Sequence, residues 1–244
     1  KLTTELTDDF FIQMHFHKDQ AHLSEETALK EAILHSPHAP DDISVFDKGL
    51  KSRKTFGQLD REGILFVGRL NAEPRYELLH PLWQDDGMSD TEELEFLQDS
   101  AVLLYESGTE VLQVKLRLVQ FRLKKDGQLL SFVTNVRELP AEVIAKIYRQ
   151  RWDIEVLFRF LKQEMNLTHF VCNDLNAIQV MLYFTMIAAM LVLIYKKHND
   201  IKSYKKAKIQ FFKELFYSVM LDVLESPEGL EWLKKTAKNF IQRE

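Results

Sequence analysis

Tyr148, Arg151, Glu155 and Lys162 are spaced by 3, 4 and 7 residues. At about 3.6 residues per turn all four fall on one face of a helix. Ile144 and Phe158 lie on or near the same stripe. A carboxylate among large apolar side chains is costly unless it is paired or holds a metal. Arg151, one turn before Glu155, can orient it. Spacing alone favours the plainer reading, a surface helix with intrahelical ion pairs.

Asp47 is the second candidate. It follows the apolar run ISVF and stands two residues before Gly49. In an open α/β sheet, ligands and metals gather at the carboxyl ends of strands. The plainer explanation, favoured by pattern alone, is an Asx-turn at a strand exit.

The elements that must position these residues can be read in order. KLTTEL (1–6) and FFIQMHFH (10–17) are strand-forming runs around a TDD turn, a hairpin. LSEETALKEAILH reads as a helix with Ser24 as N-cap and two acids in its first turn. ISVFDKGL is a short strand ending at Asp47, and residues 64–70 are another strand. Residues 1–70 therefore predict a mixed sheet with helical crossovers. From Trp83 to Ser100 there are seven acids and no base, which reads as a solvated excursion. Residues 101–135 alternate around the hairpin signal Asp126-Gly127, with Lys115, Arg117 and Arg122 on what reads as a wet face. A helix starts near Pro140, tolerated at a first helical position. The uncharged run 175–195 reads as a buried core helix rather than a membrane span, since Asn176, Gln179 and Thr185 interrupt it. Trp83, Trp152 and Trp232 are expected to pack.

Composition bounds the function. The 244 residues are 45% hydrophobic and 28% charged, an ordinary soluble composition, and 17 Phe imply an aromatic core. The net charge of −5 gives no global support to a nucleic-acid partner, although a phosphate footprint is local. The stretch 196–213 carries seven Lys and one Asp and is the best candidate strip for phosphate. Pattern alone favours a solvated helix face there. Cys172 stands alone, which excludes an internal disulfide and a four-Cys zinc site and fits a cytoplasmic setting. It reads as a buried apolar residue. His15, His17 and His22 lack a convincingly spaced third partner for zinc. The opening KLTTELTDDFF does not read as a signal peptide, and its lack of Met suggests a partial chain.

The Tyr148–Lys162 block resembles the Y-(2)-R-(3)-E-(6)-K signature of IS4-like transposases of the DDE superfamily, with all four positions matched. TNVRELPAEVIAKIYRQRW resembles the approach to the family's catalytic Glu, and VFDKGL its segment with the second catalytic Asp. The resemblance implies an α/β, RNase H-like mixed sheet core with a β-rich insertion and a helical C-terminal part. The expected division is 1–70 for the first part of the core and 71–135 for the insertion. Residues 136–200 then complete the core with the catalytic-Glu helix, and 201–244 form a helical extension. The resemblance further implies a DNA transposase performing metal-dependent cleavage and strand transfer. Asp47 and Glu155 would be catalytic and metal-holding, with Mg²⁺ or Mn²⁺ in a two-metal site. Tyr148, Arg151 and Lys162 would contact DNA, at transposon ends and target, with the parent protein acting as a homodimer on DNA and without a membrane role. KLTTEL resembles the family's second strand, so the first Asp has no counterpart here. Glu5, Asp8, Asp9 and Asp19 sit out of register for it. The expectation is an incomplete metal site. The alternatives are a non-catalytic remnant that folds or binds DNA, or a related metal-dependent nuclease.

Overall fold

The structure, a computed structural model, describes residues 2–7, 10–16, 24–70, 74–82, 91–105, 111–167 and 174–241. The chain divides into two compact units, Lys1–Glu155 and Val156–Glu244. In the first, β1 (Leu2–Thr7) and β2 (Phe10–Phe16) are followed by α1 (Glu25–His35), β3 (Ile43–Phe46), α2 (Arg53–Arg61) and β4 (Leu65–Leu70). Then come β5 (Tyr76–Pro81), β6 (Leu94–Tyr105), β7 (Val111–Leu123), β8 (Leu129–Thr134) and α3 (Ala141–Glu164), which runs on past the unit boundary.

Six strands form one sheet in the order β3-β4-β8-β7-β6-β5. β3 and β4 are parallel, joined by the α2 crossover, and the remaining pairings are antiparallel. This is a mixed α/β sheet core, as expected. β1 and β2 form the anticipated hairpin, but pair with each other in a separate two-stranded sheet. The β7–β8 hairpin turns at Asp126-Gly127. Gly127 has φ +72°, which suits glycine, and Asp126 Oδ1 accepts the Gln128 amide at 3.0 Å. Ser24 caps α1 through Thr27 N–H.

Apolar packing on one side of the sheet centres on three rings. Phe46, Phe56 and Phe66, from β3, α2 and β4, lie with mutual centroid distances of 5.6–5.9 Å. Gly68 pairs with Phe46 across β3–β4, and a Cβ there would lie 2.4 Å from Phe46 Cε2. Glycine is required at 68 by this close approach. The ring it admits is the residue immediately before Asp47.

Two expectations about charge are corrected. The acidic tract is no solvated excursion over 94–100: those residues belong to β6, and Asp99 is buried. Arg117 is on no wet face; it is 2% exposed. Its Nε and Nη2 donate to Asp99 Oδ1 and Oδ2 at 2.8 and 2.6 Å, a bidentate pair. Its Nη1 donates to the carbonyls of Val136 and Leu139 at 3.1 and 2.6 Å, and more weakly to that of Arg137 at 3.4 Å. Those carbonyls lie in the segment that leads into α3. Asn135 holds the other end of that segment. Its Nδ2 donates to Ile64 O and its Oδ1 accepts from Phe66 N, each at 3.0 Å, so a side chain continues the β4–β8 ladder by one step.

In the second unit, α3 is followed by α4 (Leu175–His198), α5 (Tyr204–Glu225) and α6 (Pro227–Ile241). The expectation of a buried core helix holds on one face of α4 only. Met186, Ala189, Val192 and Leu193 are buried, whereas Val180, Phe184, Ile187, Leu191 and Ile194 are exposed. By length and composition α4 could cross a membrane; 28% of its most apolar window is buried. Trp152 and Trp232, expected to pack, are 50% and 60% exposed. Trp83 lies outside the described residues.

Two stability outcomes follow. Arg117→Met strands the buried Asp99 and three carbonyls, and is expected to cost about 3–5 kcal/mol in equilibrium denaturation. Adding Asp99→Leu recovers part of that loss, because the lone buried charge is then gone. A double variant as unstable as the sum of its singles would contradict the pairing. Gly68→Ala is expected to cost about 1–3 kcal/mol through displacement of the Phe46 ring.

Candidate functional site

Asp47 stands one residue beyond β3, exposed, with Oδ1 accepting the Gly49 amide at 2.8 Å. The Asx-turn of the plainer reading is therefore present, and it also fixes the direction of the carboxylate. The loop that follows is held from α1. Glu26 Oε1 accepts the amides of Lys51, at 2.9 Å, and of Ser52, the N-cap residue of α2. Sequence reasoning assigned Glu26 only to the dipole of its own helix. Its partners are 25 and 26 residues away, so no local signal could have found them.

Tyr148, Arg151 and Glu155 lie on α3 as the spacing requires. Tyr148 packs its ring on Phe132 of β8, with centroids 4.8 Å apart, which anchors this face of the helix to the sheet. Arg151 Cζ lies 5.8 Å from the Tyr148 ring centroid, within cation–π range. Arg151 Nη1 lies 2.7 Å from Glu155 Oε1, with side chains 21% and 41% exposed respectively. Burial works against the charge of Arg151. The hydrogen bond that Arg151 donates to Glu155, with electrostatic contributions from Tyr148, Glu155 and Asp47, outweighs it, and the guanidinium is held above its ordinary range. Among the described residues, Arg151 Nε is buried without an acceptor. Lys162 lies seven residues beyond Glu155 on the same helix, in the second unit, and is exposed.

The carboxylate oxygens of Asp47 and Glu155 are of the hard type that Mg²⁺ and Mn²⁺ prefer. Among the described residues, no three His, Cys, Asp or Glu side chains gather into a metal-holding group. The donor type fits a divalent cation; the donor set among those residues is not complete. Asp8, Asp9, Asp19, His17, His22 and Cys172, and the side chains of Glu5 and His15, lie outside what is described.

The lysine strip of 196–213 is partly committed to packing. Lys196 Nζ sits 4.6 Å from the Tyr204 ring centroid and Lys213 Nζ 5.9 Å from that of Tyr217. Lys208 pairs with Glu164 at 3.5 Å and also donates to the Glu164 carbonyl.

Comparison with known proteins gives the context. Residues 3–191 match the family model "Transposase DDE domain". Over 105 residues the chain is 36% identical to the transposase named y4zB of Sinorhizobium fredii, covering 43% of this chain and 29% of that protein. It is 38% identical over 76 residues to a transposase named for insertion sequence element IS5377 of Geobacillus stearothermophilus, covering 31% and 20%. It is 34% identical over 95 residues to one named for insertion sequence element IS4SA of Synechocystis, covering 36% and 28%. The matches therefore span less than a third of each relative's length. The piggyBac transposase synaptic complex with hairpin DNA aligns over 94% of this chain and 48% of that chain, at 13% identity and a TM-score of 0.46. With the family model matched over most of the chain, and the Tyr-Arg-Glu-Lys face built on α3, this chain belongs to the DDE transposases, in the IS4-like family.

Proposed function

We propose that the chain works as a DNA-binding domain of a transposase, and that Asp47 and Glu155 hold a divalent cation only within a site completed by a further carboxylate. One observation carries this reading. Glu155 is held by Arg151 on the α3 face that also carries Tyr148, and no three metal-ligand side chains gather among the described residues. Mg²⁺ or Mn²⁺ bound in a completed site would supply Lewis-acid stabilisation for phosphoryl transfer on DNA. No step of that transfer is assigned to this chain alone.

What its own residues would do is bind and orient. Arg151 presents a fork suited to phosphate oxygens, and Lys162 a mobile point charge on an exposed stretch of the same helix. Tyr148 would act mainly by fixing the helix face against Phe132 and by supporting the Arg151 guanidinium. The lysines of 196–213 would add sequence-independent attraction that the overall acidity conceals. The family resemblance extends this to transposon ends brought together by two copies of the whole protein.

The test uses the chain with mixed-sequence duplex DNA between 50 and 200 mM salt. Expected is binding that weakens as salt rises. Lys162→Gln should lower the slope of log affinity against log salt by about one, and act equally on all sequences. Salt-independent binding, or none at 50 mM, would defeat the proposal. In Mg²⁺ or Mn²⁺ the chain alone is expected not to nick the DNA; nicking lost in Glu155→Gln would instead favour the full transposase or nuclease reading.

A further inference from the structure

We propose that residues 47–54, DKGLKSRK, form a preshaped loop that binds the sugar-phosphate backbone of duplex DNA through Lys48, Lys51 and Lys54. The inference deepens the DNA-binding reading above and rests on it.

The segment joins β3 to α2 and concentrates charge of one sign. Its eight residues hold four bases and one acid, in a chain whose net charge is −5. Lys48, Lys51 and Lys54 are exposed. Elsewhere in the first unit, Arg117, Arg122, Arg149 and Arg151 are each paired with a carboxylate. Among the described residues, Lys48 and Lys51 make no such pair. Arg53 is half-buried, with Cζ 5.8 Å from the Phe56 ring centroid, and belongs to the packing instead. Helix stability does not account for the charge. The dipole favours acids in the first turn of a helix and opposes bases there. α2 has no acid in its first turn and begins with Arg53 and Lys54.

The backbone beneath the lysines is held at three points. Asp47 Oδ1 accepts the Gly49 amide at 2.8 Å. Leu50 is buried in the cluster that contains Phe46, Phe56 and Phe66. Glu26 Oε1 accepts the amides of Lys51, at 2.9 Å, and of Ser52. An apolar anchor therefore sits between two exposed lysines, and a carboxylate from α1 closes the far end. Ordering a loop before it binds lowers the entropy lost on binding. Both carboxylates at the loop accept backbone amides, whereas the ammonium groups extend from exposed positions. Lysines on a fixed backbone contact phosphates as point charges, which sets register on the duplex without reading its sequence.

The test compares the whole chain and its variants on mixed-sequence duplex DNA between about 50 and 200 mM salt. The triple variant Lys48→Gln/Lys51→Gln/Lys54→Gln should lower the slope of log affinity against log salt by about two to three. A control with the same change of charge at other exposed lysines, Lys125→Gln/Lys234→Gln/Lys235→Gln, should leave that slope within about one of the wild type. Glu26→Ala removes a negative charge, which by itself would tighten binding. Release of the loop should instead weaken it about threefold or more, with the slope retained. Glu26→Gln keeps an acceptor oxygen and should recover most of that loss. An unchanged slope in the triple lysine variant, with the wild type still binding, overturns the inference and leaves the DNA-binding reading standing. An equal fall in the control overturns it as well, since the attraction is then diffuse. Equal or tighter binding in Glu26→Ala, or a loss that Glu26→Gln does not recover, overturns the preshaped loop. Absence of wild-type binding at the lowest salt defeats the DNA-binding reading itself.

Discussion

The buried guanidinium of Arg117 is the constraint on which the arrangement of the first unit depends. A charge so far removed from water is tolerable only if every donor is used in good geometry. Arg117 meets that condition by gripping Asp99 with one edge and the carbonyls before α3 with the other. The consequence is mechanical as well as energetic. Backbone carbonyls at a helix approach would otherwise need water or strand partners. Satisfying them from β7 ties the entry of α3 to the middle of the sheet. The position of Tyr148, Arg151 and Glu155 then follows from helix geometry, with Phe132 under Tyr148 as a second point of attachment.

Asp47 is placed by an independent route. Gly68 leaves room for the Phe46 ring, the ring locks the end of β3, and the Asx-turn sets the carboxylate beyond it. Glu26 then restrains the loop from the far side. One carboxylate is therefore placed by apolar packing at a parallel strand end, the other by a polar clamp at a helix entry.

The sequence made the local parts of this legible. Periodicity located α3 and the face that carries Tyr148, Arg151 and Glu155, Asp126-Gly127 located a hairpin, and Ser24 announced a cap. These signals work over a few residues. What it concealed was non-local. Arg117 sits in an alternating strand, where an ionisable residue ordinarily faces water. Its partner Asp99 lies in a tract that reads as solvated acid. The two become diagonal neighbours only through the β6–β7 register, in which Ala101 faces Arg117 and Asp99 faces Val119. Register depends on the whole sheet and is not written in either strand alone. The one-sided burial of α4 was hidden for a different reason: when apolar residues surround a helix, periodicity cannot tell its covered face from its open one. The roles expected of Glu155 and Asp47 came from family resemblance, through the four-residue signature and VFDKGL respectively, since pattern by itself favoured a surface ion pair and a turn, and both of those are present.

That coexistence changes how the plainer readings should be weighed. An Asx-turn and an i,i+4 ion pair are ordinary devices, yet each leaves a carboxylate in a defined direction. A divalent cation needs oriented hard oxygens and a phosphate needs an oriented fork. The net charge of −5 is then less of an obstacle to nucleic acid than it looks. A phosphate footprint is local, and the stretch 196–213 sets seven Lys against a single Asp within an acidic whole.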